Sequence, residues 1–123
     1  MSTSNTNPHF TVHKLEEWTI VEFREPSLMD PVVLEQLGAA LYHLVDAQDQ
    51  RRVILDFEVV KYISSQAIGI VLTMHKKLAA LPKSKLVLCG VNSKLMELIK
   101  ITRLDRVLTL RPTQAEAVKV SPY

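Results

Sequence analysis

A chain of 123 residues, 47% of them hydrophobic, is large enough for a single core and a single domain. Its 15 Lys and Arg oppose 13 Asp and Glu for a formal net charge of +2, and the basic residues are scattered. That leaves no electrostatic case for nucleic acid or membrane binding. One cysteine, Cys89, excludes an intramolecular disulfide and any multi-cysteine metal site.

Residues 1–8 are polar and are expected to form a flexible N-terminus. Phe10–Leu15 and Trp18–Phe23 carry β-branched and aromatic residues and read as two strands joined by a tight turn at Glu16-Glu17. Arg24–Met29 reads as a loop. Asp30-Pro31 then starts a helix, Asp as N-cap and Pro in the first helical position. Its apolar residues Leu34, Leu37, Leu41, Leu44 and Val45 fall on one buried stripe, and the helix should fade around Asp46–Gln50. Val53–Phe57 reads as a third strand, apolar enough to be buried on both faces.

A loop over Glu58–Ile63 leads to the stretch Ser64-Ser65-Gln66-Ala67. It opens a second helix, about Gln66–Ala80, whose apolar first half should pack centrally and which Leu81-Pro82 ends. Lys85–Cys89 reads as a fourth strand, with Cys89 as a small buried hydrophobe. Ser93 is expected to cap a third helix with Leu95, Leu98 and Ile99 on one side. Ile101–Asp105 reads as a turn, Val107–Leu110 as a short last strand, and Thr113-Gln114-Ala115-Glu116 as the capping box of a final helix. The order ββαβαβαβα predicts a single α/β domain with a mixed sheet and right-handed crossovers. No apolar stretch reaches transmembrane length and MSTSNTNPH has no signal-peptide core, so a soluble cytoplasmic protein without membrane insertion is expected.

Reactive chemistry is sparse. His9, His13, His43 and His75 lie far apart, none at helical spacing to another His or to the Cys, so no metal site is expected. Three ungrouped glycines give no phosphate-cradling loop, and no cofactor is expected. Asp56 ends a strand without an evident base or nucleophile beside it, which reads as a polar strand end. No catalytic residue emerges, and the chain reads as a non-enzyme. The Ser64–Ser65 pair carries the remaining signal. Either hydroxyl can cap the following helix, and the same positive helix end would favour a phosphate or a partner's acidic group. Gly69, one turn on, leaves room for another backbone to approach.

Several spaced segments together resemble one family. Val53-Ile54-Leu55-Asp56-Phe57, Ile63-Ser64-Ser65-Gln66-Ala67-Ile68-Gly69, Leu88-Cys89-Gly90-Val91 and the stretch from Leu98 to Leu108 follow in order and distance the pattern of the STAS domain. This is the fold of bacterial anti-sigma factor antagonists and of the cytoplasmic ends of sulfate transporters. The family pattern has an apolar strand ending in Asp, then Ile-Asp-Ser-Ser-Gly-Leu-Gly, and later Leu-x-x-Thr-Gly-Leu-Asp-x-Val-Phe. With the N-terminal strands and the Asp30 helix, the resemblance covers about residues 10–118. It implies a STAS domain over residues 9–119 with a tail at 120–123, a mixed sheet of about five strands and four helices mainly on one face.

The resemblance also implies a function. It points to a non-enzymatic regulator of a bacterial partner-switching pathway. Such a protein binds an anti-sigma factor, a histidine-kinase-like serine kinase, and thereby releases a sigma factor. In that family the second serine of Asp-Ser-Ser-Gly is phosphorylated, which places about −1.5 to −2 charges at a helix N-terminus and opposes docking. Here Ser64 stands where the family has Asp, Ser65 matches the first serine, Gln66 occupies the phosphoacceptor position and Ala67 replaces the glycine. The expectations are a permanently binding form, an acceptor shifted to Ser65 or Ser64, or a module of a different assembly. The implied contact surface comprises Asp30, Ser64, Ser65 and Gln66 with Thr73, Lys76 and Lys77 on the second helix. The alternative function is a small-molecule or lipid carrier subunit of a transport system. Oligomeric state is left open.

Overall fold

The computed structural model describes residues 7–121; most of the expected flexible N-terminus, residues 1–6, and the last two residues of the tail lie outside them. Strands β1 (Phe10–Leu15) and β2 (Trp18–Phe23) form an antiparallel hairpin in which Leu15 faces Trp18. After the short β3 (Ser27–Leu28) comes helix α1 (Pro31–Asp46), then β4 (Arg52–Asp56), the short β5 (Tyr62–Ile63) and helix α2 (Ser65–Ala79). Strand β6 (Lys85–Cys89), helix α3 (Ser93–Ile101), a 3-10 turn at Leu104–Arg106, strand β7 (Thr109–Arg111) and helix α4 (Gln114–Ala117) complete the order. The main sheet has five strands in the order β1-β2-β4-β6-β7, parallel except for the β1–β2 pair. A mixed sheet with α/β connections is therefore present as expected.

The two faces of the sheet are closed unequally. Val53 and Leu55 of β4 point into the larger core, with Val21, Phe23, Leu86 and Leu88 from the neighbouring strands and the buried stripes of α1, α2 and α3. Ile54, between them, points the other way and packs with Trp18, Ile20, Val87, Cys89 and Ala117. All three of these β4 residues are 0% exposed. This is why the strand reads as a continuous apolar run rather than an alternating one. Three helices cover one face. The other is covered by α4 and the residues after it, with Trp18 Nε1 donating to the Val118 carbonyl at 3.2 Å and Val120 still packed against that core.

Several local expectations are corrected. The loops at Arg24–Met29 and Glu58–Ile63 contain β3 and β5, which pair in parallel, Ser27 with Tyr62 and Leu28 with Ile63. Two residues per strand are too few for an alternating pattern to register in sequence. Asn92, not Ser93, caps α3: its side-chain oxygen accepts from the Leu95 N–H at 2.8 Å, and Ser93 is the first helical residue. The last strand lies at Thr109–Arg111 because a 3-10 turn occupies Leu104–Arg106 ahead of it. The close helix approach is at Gly38 rather than Gly69. A Cβ at Gly38 would lie 3.3 Å from Ile70 of α2, whereas one at Gly69 would meet nothing within 4 Å.

Candidate docking site

The β3–β5 pair positions the site. Each strand leads into a helix N-cap, β3 through Met29 into Asp30 and β5 directly into Ser64, so the parallel pairing sets the starts of α1 and α2 side by side. Asp30 Oδ1 accepts from the Val32 N–H at 2.9 Å, and Pro31 fills the first helical position, where its missing N–H costs nothing. Ser64 Oγ accepts from the Ala67 N–H at 3.2 Å, and the Ser64 carbonyl accepts from Ile68 at 3.1 Å. The ambiguity between the serines is thereby resolved: Ser64 is the cap. Ser65 is the first helical residue, exposed, and its hydroxyl has no partner among the described residues.

Gln66 is exposed beside Ser65. The buried stripe of α2 is Ala67, Ile70, Val71, Met74 and Leu78, and the opposite face presents Ser65, Gln66, Gly69, Thr73 and Lys76. The Thr73 hydroxyl donates to the Gly69 carbonyl at 2.9 Å. Lys77 sits at the border of this face and is engaged with α1: its Nζ is 2.8 Å from Asp46 Oδ2 and 5.2 Å from the centre of the Tyr42 ring. Of the seven surface residues expected from sequence, Asp30 and Ser64 cap the two helix starts, Ser65, Gln66, Thr73 and Lys76 share the face of α2 away from the core, and Lys77 is held toward α1.

The electrostatics of the junction follow from what is missing. Neither α1 nor α2 carries an acidic residue in its first turn. Asp30 lies against the positive end of α1, but α2 begins with two serines and a glutamine, so its positive end has no carboxylate of its own first turn against it. Met29 and Val32 at the start of α1 and Tyr62 on β5 are exposed apolar side chains of the adjoining segments. Small hydroxyls, an uncompensated helix end and apolar neighbours make a surface suited to a protein partner.

Asp56 belongs elsewhere. It is 7% exposed and fully bonded: Oδ1 accepts from the Glu58 N–H at 2.9 Å and Oδ2 from Gln114 Nε2 at 2.8 Å. The same Gln114 nitrogen donates to Glu22 Oε2 at 2.7 Å, tying α4 to the ends of two parallel strands. Gly90 makes room for this arrangement at φ +71°, since a Cβ there would come within 2.9 Å of Asp56 Oδ1. Sequence reading missed Gln114, because only the sheet order brings it beside a residue so far away in the chain. Burial pushes the Cys89 thiol up to about 12, with the nearby carboxylates of Asp56, Glu58 and Glu22 adding to the shift. Among the described residues no cluster of His, Cys, Asp and Glu could hold a metal ion, and no helix is long and apolar enough to cross a membrane.

A five-stranded mixed sheet, three helices on one of its faces and a serine-capped helix rising from β5 beside the start of α1 define one class of small α/β domain. The STAS domain family model matches residues 9–117, and the chain belongs to that family. Among solved structures, it is similar to an anti-sigma-factor antagonist (STAS) domain protein from Planctomyces limnophilus, at 21% identity over 89% of this chain and 93% of that one, with a TM-score of 0.79. An anti-sigma factor antagonist from Mycobacterium paratuberculosis matches at 20% identity over 89% of each chain, TM-score 0.78. The Bacillus cell fate determinant SpoIIAA in its phosphorylated form matches at 19% identity over 89% of this chain and 96% of that one, TM-score 0.68. These likenesses bear on the fold. No curated protein matches the chain significantly.

Proposed function

We propose that this STAS domain is a non-enzymatic docking protein of a partner-switching pathway. It binds an anti-sigma factor of the histidine-kinase-like serine kinase type through the junction of α1 and α2 and thereby frees a sigma factor. The observation that carries this reading is Gln66, exposed at the second position of α2 on the face away from the core. A neutral amide there leaves docking unopposed, where a phosphate would add about two negative charges. The protein is accordingly held in its binding form. Where a kinase still acts on the junction, Ser65 is the acceptor, because its hydroxyl is exposed while that of Ser64 is used as the cap. Solved structures of the same fold that are described as anti-sigma factor antagonists support the docking role at the level of fold.

The carrier reading has less behind it. The apolar cavity that reaches the interior between α2, α3 and the sheet is about 20 Å3, room for a water rather than for a lipid chain, and the larger concavities, up to about 310 Å3, are open on the surface.

The test compares the tagged wild-type chain with Gln66→Asp, each used to recover partners from its native cells, with partner and phosphosite read by mass spectrometry. A carboxylate at this position favours the helix itself by about 0.3–1 kcal/mol, so the variant should be at least as stable as the wild type. Recovery of a histidine-kinase-like ATPase by the wild type, falling about tenfold with Gln66→Asp, is the expected result; tenfold corresponds to about 1.4 kcal/mol. Equal recovery by both forms, or recovery of transport or envelope proteins instead, would sink the reading.

A further inference from the structure

Next to the serine junction lies an open groove of about 280 Å3 between the β5 segment and α3. Lys61, Tyr62 and Ile63 form one wall, and Lys94, Glu97, Leu98 and Ile101 the other. Ile101 is 77% exposed, more than any other large hydrophobic side chain among the described residues, and Tyr62 is 51% exposed. Single exposed apolar residues are ordinary, but two lining one concavity form a patch that water solvates poorly. Nothing in the fold of the chain requires Ile101 to be apolar: it is the last residue of α3, and its side chain points to solvent.

Charge narrows the occupant. A lysine stands on each wall, Lys61 and Lys94, against Glu97 as the one acidic lining residue. Lys94 Nζ lies 5.2 Å from the centre of the Tyr62 ring, which holds that cation across the mouth of the groove. The floor is apolar and continuous with the interior, since Ile63 and Leu98 line both the groove and the small cavity behind it. Two cations on opposite sides of an apolar floor suit a ligand with carboxylates on both sides of an apolar anchor. A single-headed lipid would answer only one of them.

We infer that the groove seats an amphipathic segment of the partner protein. One aliphatic or aromatic side chain packs against Ile63, Leu98 and Ile101, and flanking Asp or Glu side chains meet Lys61 and Lys94. This inference rests on the docking reading above, and it extends the same surface, because Ile63 immediately precedes the Ser64 cap.

A phage-displayed library of random twelve-residue peptides, selected on the wild-type chain, supplies the probe. Synthetic versions of the enriched peptides are then titrated by fluorescence anisotropy against wild type, Ile101→Asp, Lys94→Glu and Gln66→Asp. Both groove positions are exposed, and against the α3 dipole Lys94→Glu should gain and Ile101→Asp lose stability only slightly, so both variants should remain folded, as thermal unfolding would show. The expected result is enrichment of peptides with a large apolar residue between acidic ones. Their affinity should fall about tenfold or more in Ile101→Asp and Lys94→Glu, weaken with salt, and be unaffected by Gln66→Asp. Enrichment of no such motif, or binding that ignores both groove variants, overturns the inference. Oleate binding by native mass spectrometry that is lost in the same two variants, without peptide binding, overturns it in favour of a lipid ligand. The two readings fail separately. Partner recovery sensitive to Gln66→Asp but not to the groove variants removes only the groove, while peptide binding intact beside a Gln66→Asp form that recovers partner normally removes only the junction.

Discussion

The backbone N–H of Ser64 donates to the carbonyl of Leu28 at 3.1 Å, so the residue that caps α2 is tied directly to the strand that leads into α1. This bond and the two-residue β3–β5 pairing make one surface out of two pieces of chain that are remote in sequence. A change at the serine junction is thus also a change at Met29 and Asp30.

Replacing Ser64 by Ala removes the side-chain acceptor of the Ala67 N–H. Unfolding in urea should show a loss of about 1 kcal/mol, the usual worth of a serine N-cap. Ser65→Ala should stay within about 0.5 kcal/mol of wild type, because that hydroxyl makes no hydrogen bond among the described residues. Equal losses would mean that the two serines share the cap.

Gly69 lies inside α2 with open space where its side chain would be. Gly69→Ala should therefore stabilise the chain by about 0.5–1 kcal/mol, the difference in helix propensity. A partner that lies against the Gly69 face should bind this variant more weakly. Calorimetry of the free chain and a binding titration with the recovered partner would separate the two effects, and unchanged affinity would place the contact away from this turn.

Arg103 adopts φ +61°, a left-handed conformation that a side chain with a Cβ enters at a cost. It follows the cap of α3 at the position where the STAS pattern carries glycine. Arg103→Gly should relieve the strain and, net of the greater freedom of the unfolded chain, raise stability by about 0.5–1 kcal/mol in a denaturant titration. A destabilised variant would show that the arginine side chain makes a contact worth more than the strain.

The Cys89 thiol is 0% exposed, and burial raises it to about 12, above the value of about 8.5 expected in an unfolded chain. Between those two values the unfolded state has released a proton that the folded state retains. Stability must therefore fall as pH rises through this window, by at most about 1.4 kcal/mol per pH unit. Wild type should lose more stability between pH 9 and pH 11 than Cys89→Ala does, each measured against its own value at pH 8. Parallel decline of the two proteins would assign the alkaline loss to other groups.

The long elements were legible in sequence because their signals are periodic or chemical. The α1 stripe from Leu34 to Val45 is buried as its spacing required, and Asp30 and Thr113 cap the helices that their patterns announced. What escaped was set by contacts between distant segments. Ser27-Leu28 and Tyr62-Ile63 are strands only because each has the other to pair with. Gly38 matters because Ile70 crosses it, and Gln114 because Glu22 and Asp56 meet it from two strands. The serine junction was recognisable as a motif. Which hydroxyl is spent on the cap, and which way Lys77 turns, depended on geometry.

The second face of the sheet has a consequence for biosynthesis. Trp18, Ile20, Ile54, Val87 and Cys89 have no helix over them until Ala117 and Val118 arrive. A nascent chain that has already brought together α1, α2 and the first four strands of the main sheet still presents this apolar face to water. Residues 113–120 act as a closing seam, so a full-length chain in which they are undocked is nearly complete in secondary structure yet sticky on one side.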